Sequence, residues 1–152
     1  MEKKLADLVS NRKAFHDYEI LDTLEAGLIL FGTEIKSLKN HGGTLQDAYI
    51  DIRSGTPLLI NANIAPYKFG GSSFNHEEKR ARKLLLHKKE IEKLARTLHE
   101  KNLVAIPLAI YLNKKGYAKV KIGIGRGKKN YDQRMALKEK EHKRSIQRAL
   151  DS

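Results

Sequence analysis

The chain has 152 residues, room for one domain and a tail but not for two domains that each bury a sizeable core. Its 30 Lys and Arg against 18 Asp and Glu leave a net charge of +12, which favours polyanions over cationic substrates, and the lack of Cys excludes a disulfide framework, a thiolate nucleophile and a Cys-type zinc site. The longest apolar run, residues 103–112, is far short of the ~20 residues of a spanning helix, and residues 1–10 carry no signal-peptide core, so a soluble, cytoplasmic chain with no membrane partner is expected. In chain order, residues 26–31 place Leu28 and Leu30 on one side and Ile29 and Phe31 on the other, the pattern of a strand buried on both faces. Thr33 stands where it would cap a short helix through Leu38, ended by Asn40 and the positive-φ capacity of Gly42 and Gly43. Ala48, Ile50 and Ile52 then alternate with Tyr49, Asp51 and Arg53, residues 54–57 turn, and Ile60, Ala62 and Ile64 share a face of the returning strand.

Residues 68–75 are rich in Gly and Ser without apolar period, which predicts a mobile loop. His87 is placed to cap a helix over 88–101 whose stripe is Ile91, Leu94, Ala95 and Leu98. Residues 103–112 form an almost continuous apolar strand with an edge or bulge at Pro107, and residues 113–116 turn. In the closing strand Val120, Ile122 and Ile124 point one way and Lys119, Lys121 and Gly123 the other. The expected fold is mainly β, a small closed β-barrel of oligonucleotide-binding type with two or three helices, as residues 1–125. Residues 126–152 form a basic tail with nine cations and four acids, a net of +5; with no apolar side chain between Leu137 and Ile146, the tail is expected to be disordered when free.

Enzyme chemistry finds little support. Gly123, Gly125, Gly127 and Lys128 resemble a phosphate loop, but Ile122 stands where the motif needs Gly and Lys129 where it needs Ser or Thr. No two of His16, His41, His76, His87, His99 and His142 lie three or four residues apart, so no helical metal site is written locally. Ser72 lacks the glycine that a nucleophile elbow needs at position 74, and Asp17, Glu19, Asp22 and Glu25 show no acid/base partner. Neither catalysis, cofactor nor metal is expected; a hydrolase built on those carboxylates is the weakest reading. The basic runs carry more. Lys79, Arg80, Arg82, Lys83, Lys88 and Lys89 form one cluster; Lys114, Lys115, Lys119, Lys121, Arg126, Lys128 and Lys129 form another with no acid between them. Aromatic residues nearby are few, namely Tyr67, Phe69, Phe74, Tyr117 and Tyr131, which points to a folded RNA read by shape and phosphates with a few stacked bases.

Several ordered blocks narrow this further: residues 11–18 (NRKAFHDY), 25–27 (EAG), 32–38 (GTEIKSL), 82–87 (RKLLLH), Pro107 and Leu108 with Tyr111, 119–123 (KVKIG), and 127–129 (GKK) before Asp132 and Arg134. Through them nearly the whole chain resembles the SmpB family, the SsrA-RNA (tmRNA) binding proteins of bacterial ribosome rescue. The resemblance implies binding to the tRNA-like domain of tmRNA and delivery, with elongation factor Tu and GTP, to a stalled ribosome. By position it implies a tmRNA-binding surface of Asn11, Arg12, Lys13, His16, Glu25, Lys36 and Lys119, supported by Leu85, beside the basic cluster of Arg80, Arg82 and Lys83. It further implies that Gly127, Lys128, Lys129, Tyr131, Asp132, Arg134 and Lys138 meet the decoding centre, the helix-forming remainder occupying the empty messenger channel. A monomer is expected. Glu78, Thr44 and Gln133 depart from the usual pattern, where proline, asparagine and lysine are frequent. The alternative is a barrel that binds structured RNA generally, without preference for tmRNA.

Overall fold

The computed structural model describes residues 7–68, 75–100 and 102–128. The elements run β1 (Asp7–Ser10), α1 (Arg12–Asp17), β2 (Tyr18–Leu28), α2 (Gly32–Lys39), β3 (Gly43–Thr44), β4 (Tyr49–Arg53), β5 (Thr56–Ile60), β6 (Asn63–Ile64), β7 (Arg82–Leu85), α3 (Lys88–Glu100), β8 (Val104–Leu112) and β9 (Ala118–Gly127). The fold is therefore mainly β with three helices among the described residues. Seven strands form one antiparallel sheet in the order β1-β8-β4-β5-β7-β2-β9, and β9 pairs back onto β8. Six strands thus follow one another in a ring of pairings, with β1 added to β8; the link between β4 and β8 is the single pair Ile50 and Ala105. No described helix is long and apolar enough to cross a membrane.

The alternation read in β9 is present: Val120, Ile122 and Ile124 are buried in the main core, where Ile122 pairs with Leu24 and Val120 with Ala26. Pro107 does mark a bulge. The register passes from Pro107 opposite Ile122 to Ala109 opposite Lys121, and the extra residue switches the phase of β8. Ile106 and Leu108 consequently pack outward on Ala14 of α1, while Ala105 and Ile110 enter the main core. The helix over 88–101 is observed as α3, opened by the N–H of His87 donating to Glu90 Oε1 at 3.0 Å.

Other expectations are corrected. The strand expected over residues 26–31 starts earlier, at Tyr18, and ends at Leu28; Ile29, still bonded to β7, faces outward, and Phe31 is exposed where the chain turns into α2. Helix α2 is capped by Phe31 rather than Thr33: the Glu34 carboxylate reaches back to accept the Phe31 N–H at 2.7 Å. At its other end His41, not a glycine, takes positive φ (62°), and Gly42 N–H closes a Schellman turn on Ser37 O at 2.8 Å. In β5 the buried residues are Pro57 and Leu59, not Ile60. The left-handed turn at Asn61 (φ 64°) shifts the phase, so that Ala62 and Ile64 return to the core. The expected mobile loop lies largely outside the described residues, as do the tail residues beyond Lys128.

The β2–β9 ladder runs from Tyr18 opposite Gly127 to Gly27 opposite Lys119. At the β2 irregularity between Ile20 and Asp22, a Cβ on Gly125 would collide with the Glu19 carbonyl and stand 3.1 Å from Ile20 Cα, and both obstacles are backbone. Gly125→Ala is expected to cost about 1–3 kcal/mol as an overpacked site. Gly32→Ala, which meets nothing within 4 Å, should be close to neutral; thermal unfolding of the two variants checks the contrast.

Candidate nucleic-acid interface

Helix α1 is short and depends on what surrounds it. Asn11 N–H donates to Leu108 O at 2.8 Å, and its amide Nδ2 donates to Pro107 O at 3.0 Å, so the residue is committed to fastening the helix to bulged β8. With Ala14 as the buried anchor, Arg12, Lys13 and His16 are left on the exposed side. Asp17 is buried; its Oδ1 lies 3.1 Å from His16 Nδ1. Lys128 continues from β9 to the same place, its N–H donating to Asp17 O at 2.9 Å and its ammonium to Phe15 O at 3.2 Å. Gly127 is the last residue of β9 and pairs with Tyr18.

A second group is assembled by strand register. Gly27 stands opposite both Lys119 of β9 and Leu85 of β7, while Glu25 stands opposite Lys121. Bareness at Gly27 leaves room for Leu85, whose Cβ lies 3.1 Å from where a Gly27 Cβ would be. Glu25, Leu85 and Lys119 line one open depression of about 450 Å³ together with Gly27, Leu86, His87 and Glu90. The hydroxyl of Tyr111, on β8 opposite Lys119, donates to Glu25 Oε2. That bond fixes the direction of the carboxylate and leaves its other oxygen for a donor from outside. The sequence placed Lys121 in the basic cluster on the same strand face as Lys119, and the structure agrees; the partnership of Tyr111 with Glu25 had no local signal, because the two residues lie on different strands.

The remaining candidates separate. Lys36 projects from α2, its ammonium 5.5 Å from the centre of the Tyr67 ring. Lys83 is exposed on β7. Arg82, its neighbour in sequence, has no solvent exposure at all and adds nothing to the surface charge. Its Nε donates to Glu34 Oε2 at 2.5 Å, Nη1 to Ala62 O at 2.7 Å and Nη2 to Glu78 O at 3.0 Å. Arg80 gives its Nη2 to the other Glu34 oxygen at 2.7 Å and lies 4.1 Å over the Phe31 ring. Burial pushes the Glu34 carboxyl up, but the Arg80 bond, the Phe31 N–H and Arg82 outweigh it and hold the group below its ordinary value. Lys129, Tyr131, Asp132, Arg134 and Lys138 lie outside the described residues.

The family model described as SmpB protein matches residues 8–152. The chain belongs to the SmpB family. It is similar to proteins named SsrA-binding protein from Protochlamydia amoebophila (56% identical over 150 residues, 99% of this chain and 97% of the relative) and Chlamydia muridarum (53% over 144 residues, 95% and 94%). The corresponding protein of Staphylococcus epidermidis is 52% identical over 148 residues, 97% of this chain and 94% of its own. A solved structure described as "tmRNA-SmpB: a journey to the center of the bacterial ribosome" is 47% identical, with a TM-score of 0.68 over 81% of this chain and 85% of that one.

Arg82→Met leaves a buried carboxylate short of a partner and is expected to cost about 3–5 kcal/mol in denaturant unfolding. Because the folded-state pKa of Glu34 is depressed, its stabilisation is complete above the unfolded value of about 4.5 and is lost as pH falls through the folded one. Glu34→Gln should therefore be destabilised at neutral pH, and its deficit relative to the natural chain should shrink on acidification.

Proposed function

We propose that the chain binds tmRNA, the SsrA RNA, and acts in trans-translation, the rescue of stalled ribosomes. The observation that carries this is similarity over 99% of the chain to a protein named SsrA-binding protein, joined by 47% identity to the tmRNA-SmpB structure. The ring of strand pairings supports reading the body as a closed barrel of the oligonucleotide-binding type. On that body the tRNA-like domain of tmRNA lies across α1 and the outer face of β9. Arg12, Lys13, His16 and Lys119 supply cations, Glu25 accepts hydrogen bonds from base or 2′-OH donors, and Leu85 shapes the depression. Lys83 is an exposed cation beside the depression and Lys36 an exposed cation on α2, while the buried Arg82 and the partly buried Arg80 act through Glu34.

The end of β9 and the segment that follows it face the ribosome. Gly127, Lys128, Lys129, Tyr131, Asp132, Arg134 and Lys138 meet decoding-centre RNA, and the following residues enter a messenger channel only when it is empty. In this account the protein works as a cytoplasmic monomer, arrives with tmRNA, elongation factor Tu and GTP, and supplies shape and charge rather than bond chemistry.

Competition is the test. The full chain is titrated into labelled tRNA-like domain of tmRNA at physiological salt, with bulk tRNA in excess. Nanomolar-scale binding that survives the competitor is expected; equal loss to bulk tRNA would favour the general structured-RNA barrel. Truncation after Lys128 keeps every rung of β9 and should preserve this affinity while abolishing peptide tagging on stalled ribosomes. Loss of affinity with the tail would overturn the division into body and tail.

A further inference from the structure

The outer face of β7, β2 and β9 holds apolar side chains that the charge argument leaves unexplained. Leu28 and Leu84 pair across β2 and β7 and face the core, so their neighbours Gly27, Ile29, Lys83 and Leu85 face outward. Gly27 is opposite Lys119, and two residues further along each segment stand Ile29 and Tyr117. Ile29 remains attached to β7, its N–H donating to Lys83 O at 3.0 Å. Leu85 is 55% exposed, Ile29 41% and Tyr117 66%. Three large apolar groups therefore follow one another from β7 towards β9 on one face of the sheet.

Tyr117 sits on a fixed backbone. Asn113 Oδ1 accepts the N–H groups of Lys115 at 3.0 Å and Tyr117 at 2.9 Å, and Asn113 N–H donates to Tyr117 O at 2.9 Å. Gly116, at φ 84°, takes the left-handed position of this turn. The hairpin carries Lys114, Lys115, Lys119 and Lys121 and no acid, and Lys83 borders the strip from the β7 side. The acids on the neighbouring rows are Asp7 of β1, opposite Tyr111 and two strands from Lys119, Glu25, which accepts the Tyr111 hydroxyl, and Glu90 at the rim of the depression; they stay fewer than the five lysines around the strip. An apolar protein segment would cover the strip but leave the lysines unanswered. An unpaired nucleotide answers both, with a flat apolar face and a phosphate on either side.

We propose that Tyr117, with Ile29 and Leu85, forms a stacking strip for one unpaired base of the bound RNA, Lys115 and Lys83 holding the flanking phosphates. This rests on the RNA-binding reading above and adds to it a defined base contact at the β8–β9 turn. The probe is the tRNA-like domain of tmRNA, bound by full-length variants across a salt series. Tyr117→Ala is expected to weaken binding about tenfold or more with an unchanged salt slope, and Tyr117→Phe to stay within about twofold. Lys115→Gln should instead lower the log–log salt slope by about 0.7. Neither exposed position should alter the unfolding temperature. If Tyr117→Ala binds like the natural chain while Lys119→Ala binds weakly, the stacking strip is wrong and the tmRNA reading stands. If the natural chain shows no preference for this RNA over bulk tRNA, the functional reading fails and the strip with it.

Discussion

One carboxylate with no access to water, Glu34, organises a large part of this fold. Its two oxygens take the Phe31 N–H, Arg80 and Arg82, and the guanidinium of Arg82 goes on to the carbonyls of Ala62 and Glu78. Four separate stretches of chain therefore meet at one ion pair: the start of α2, the link between β5 and β6, the 77–80 turn with Arg80, and β7. Each charge would be costly to bury alone, so the pair tolerates only the arrangement in which every partner is present. Since β7 carries Leu85 and Lys83 on its outer face, this buried network also sets where the exposed face lies.

Where α1 packs, the body relies on absence of bulk. Leu108 sits over Gly123, and Gly125 lies against the backbone of β2, so α1 can approach the outer surface of β8 through Ala14. The bulge after Pro107 turns Ile106 and Leu108 toward that helix. Arg12, Lys13 and His16 are thereby displayed from a helix that is too short to be stable in isolation.

Much of this was legible in the sequence wherever side chains alternate strictly or recur at helical spacing. The core face of β9, the stripe of α3 and the bulge at Pro107 all follow from local pattern. Strand β2 was read short because Glu19, Leu21, Asp22, Thr23 and Glu25 are all exposed, a run that shows no clean apolar period. The phase of β5 was lost at Asn61, where one left-handed residue resets the alternation without a glycine to announce it. Arg82 illustrates a different limit. Flanked by Arg80 and Lys83 it looks like surface charge, and only the arrival of Glu34 from 48 residues away makes it a core residue. Of the interface, the individual cations were readable, but the meeting of Glu25, Leu85 and Lys119 is a product of strand register, and the Tyr111 bond to Glu25 spans 86 residues.

The attachment of Lys128 has a mechanical side. It follows a strand bonded along its length to β2 and along most of it to β8, with Tyr18 opposite Gly127 at the exit. A pull on the chain directed along β9 loads these rungs together, in shear, rather than opening them one after another. The body would thus resist being unravelled by tension on whatever follows residue 128, and the bond from Lys128 to the Asp17 carbonyl would share such a load with the end of α1.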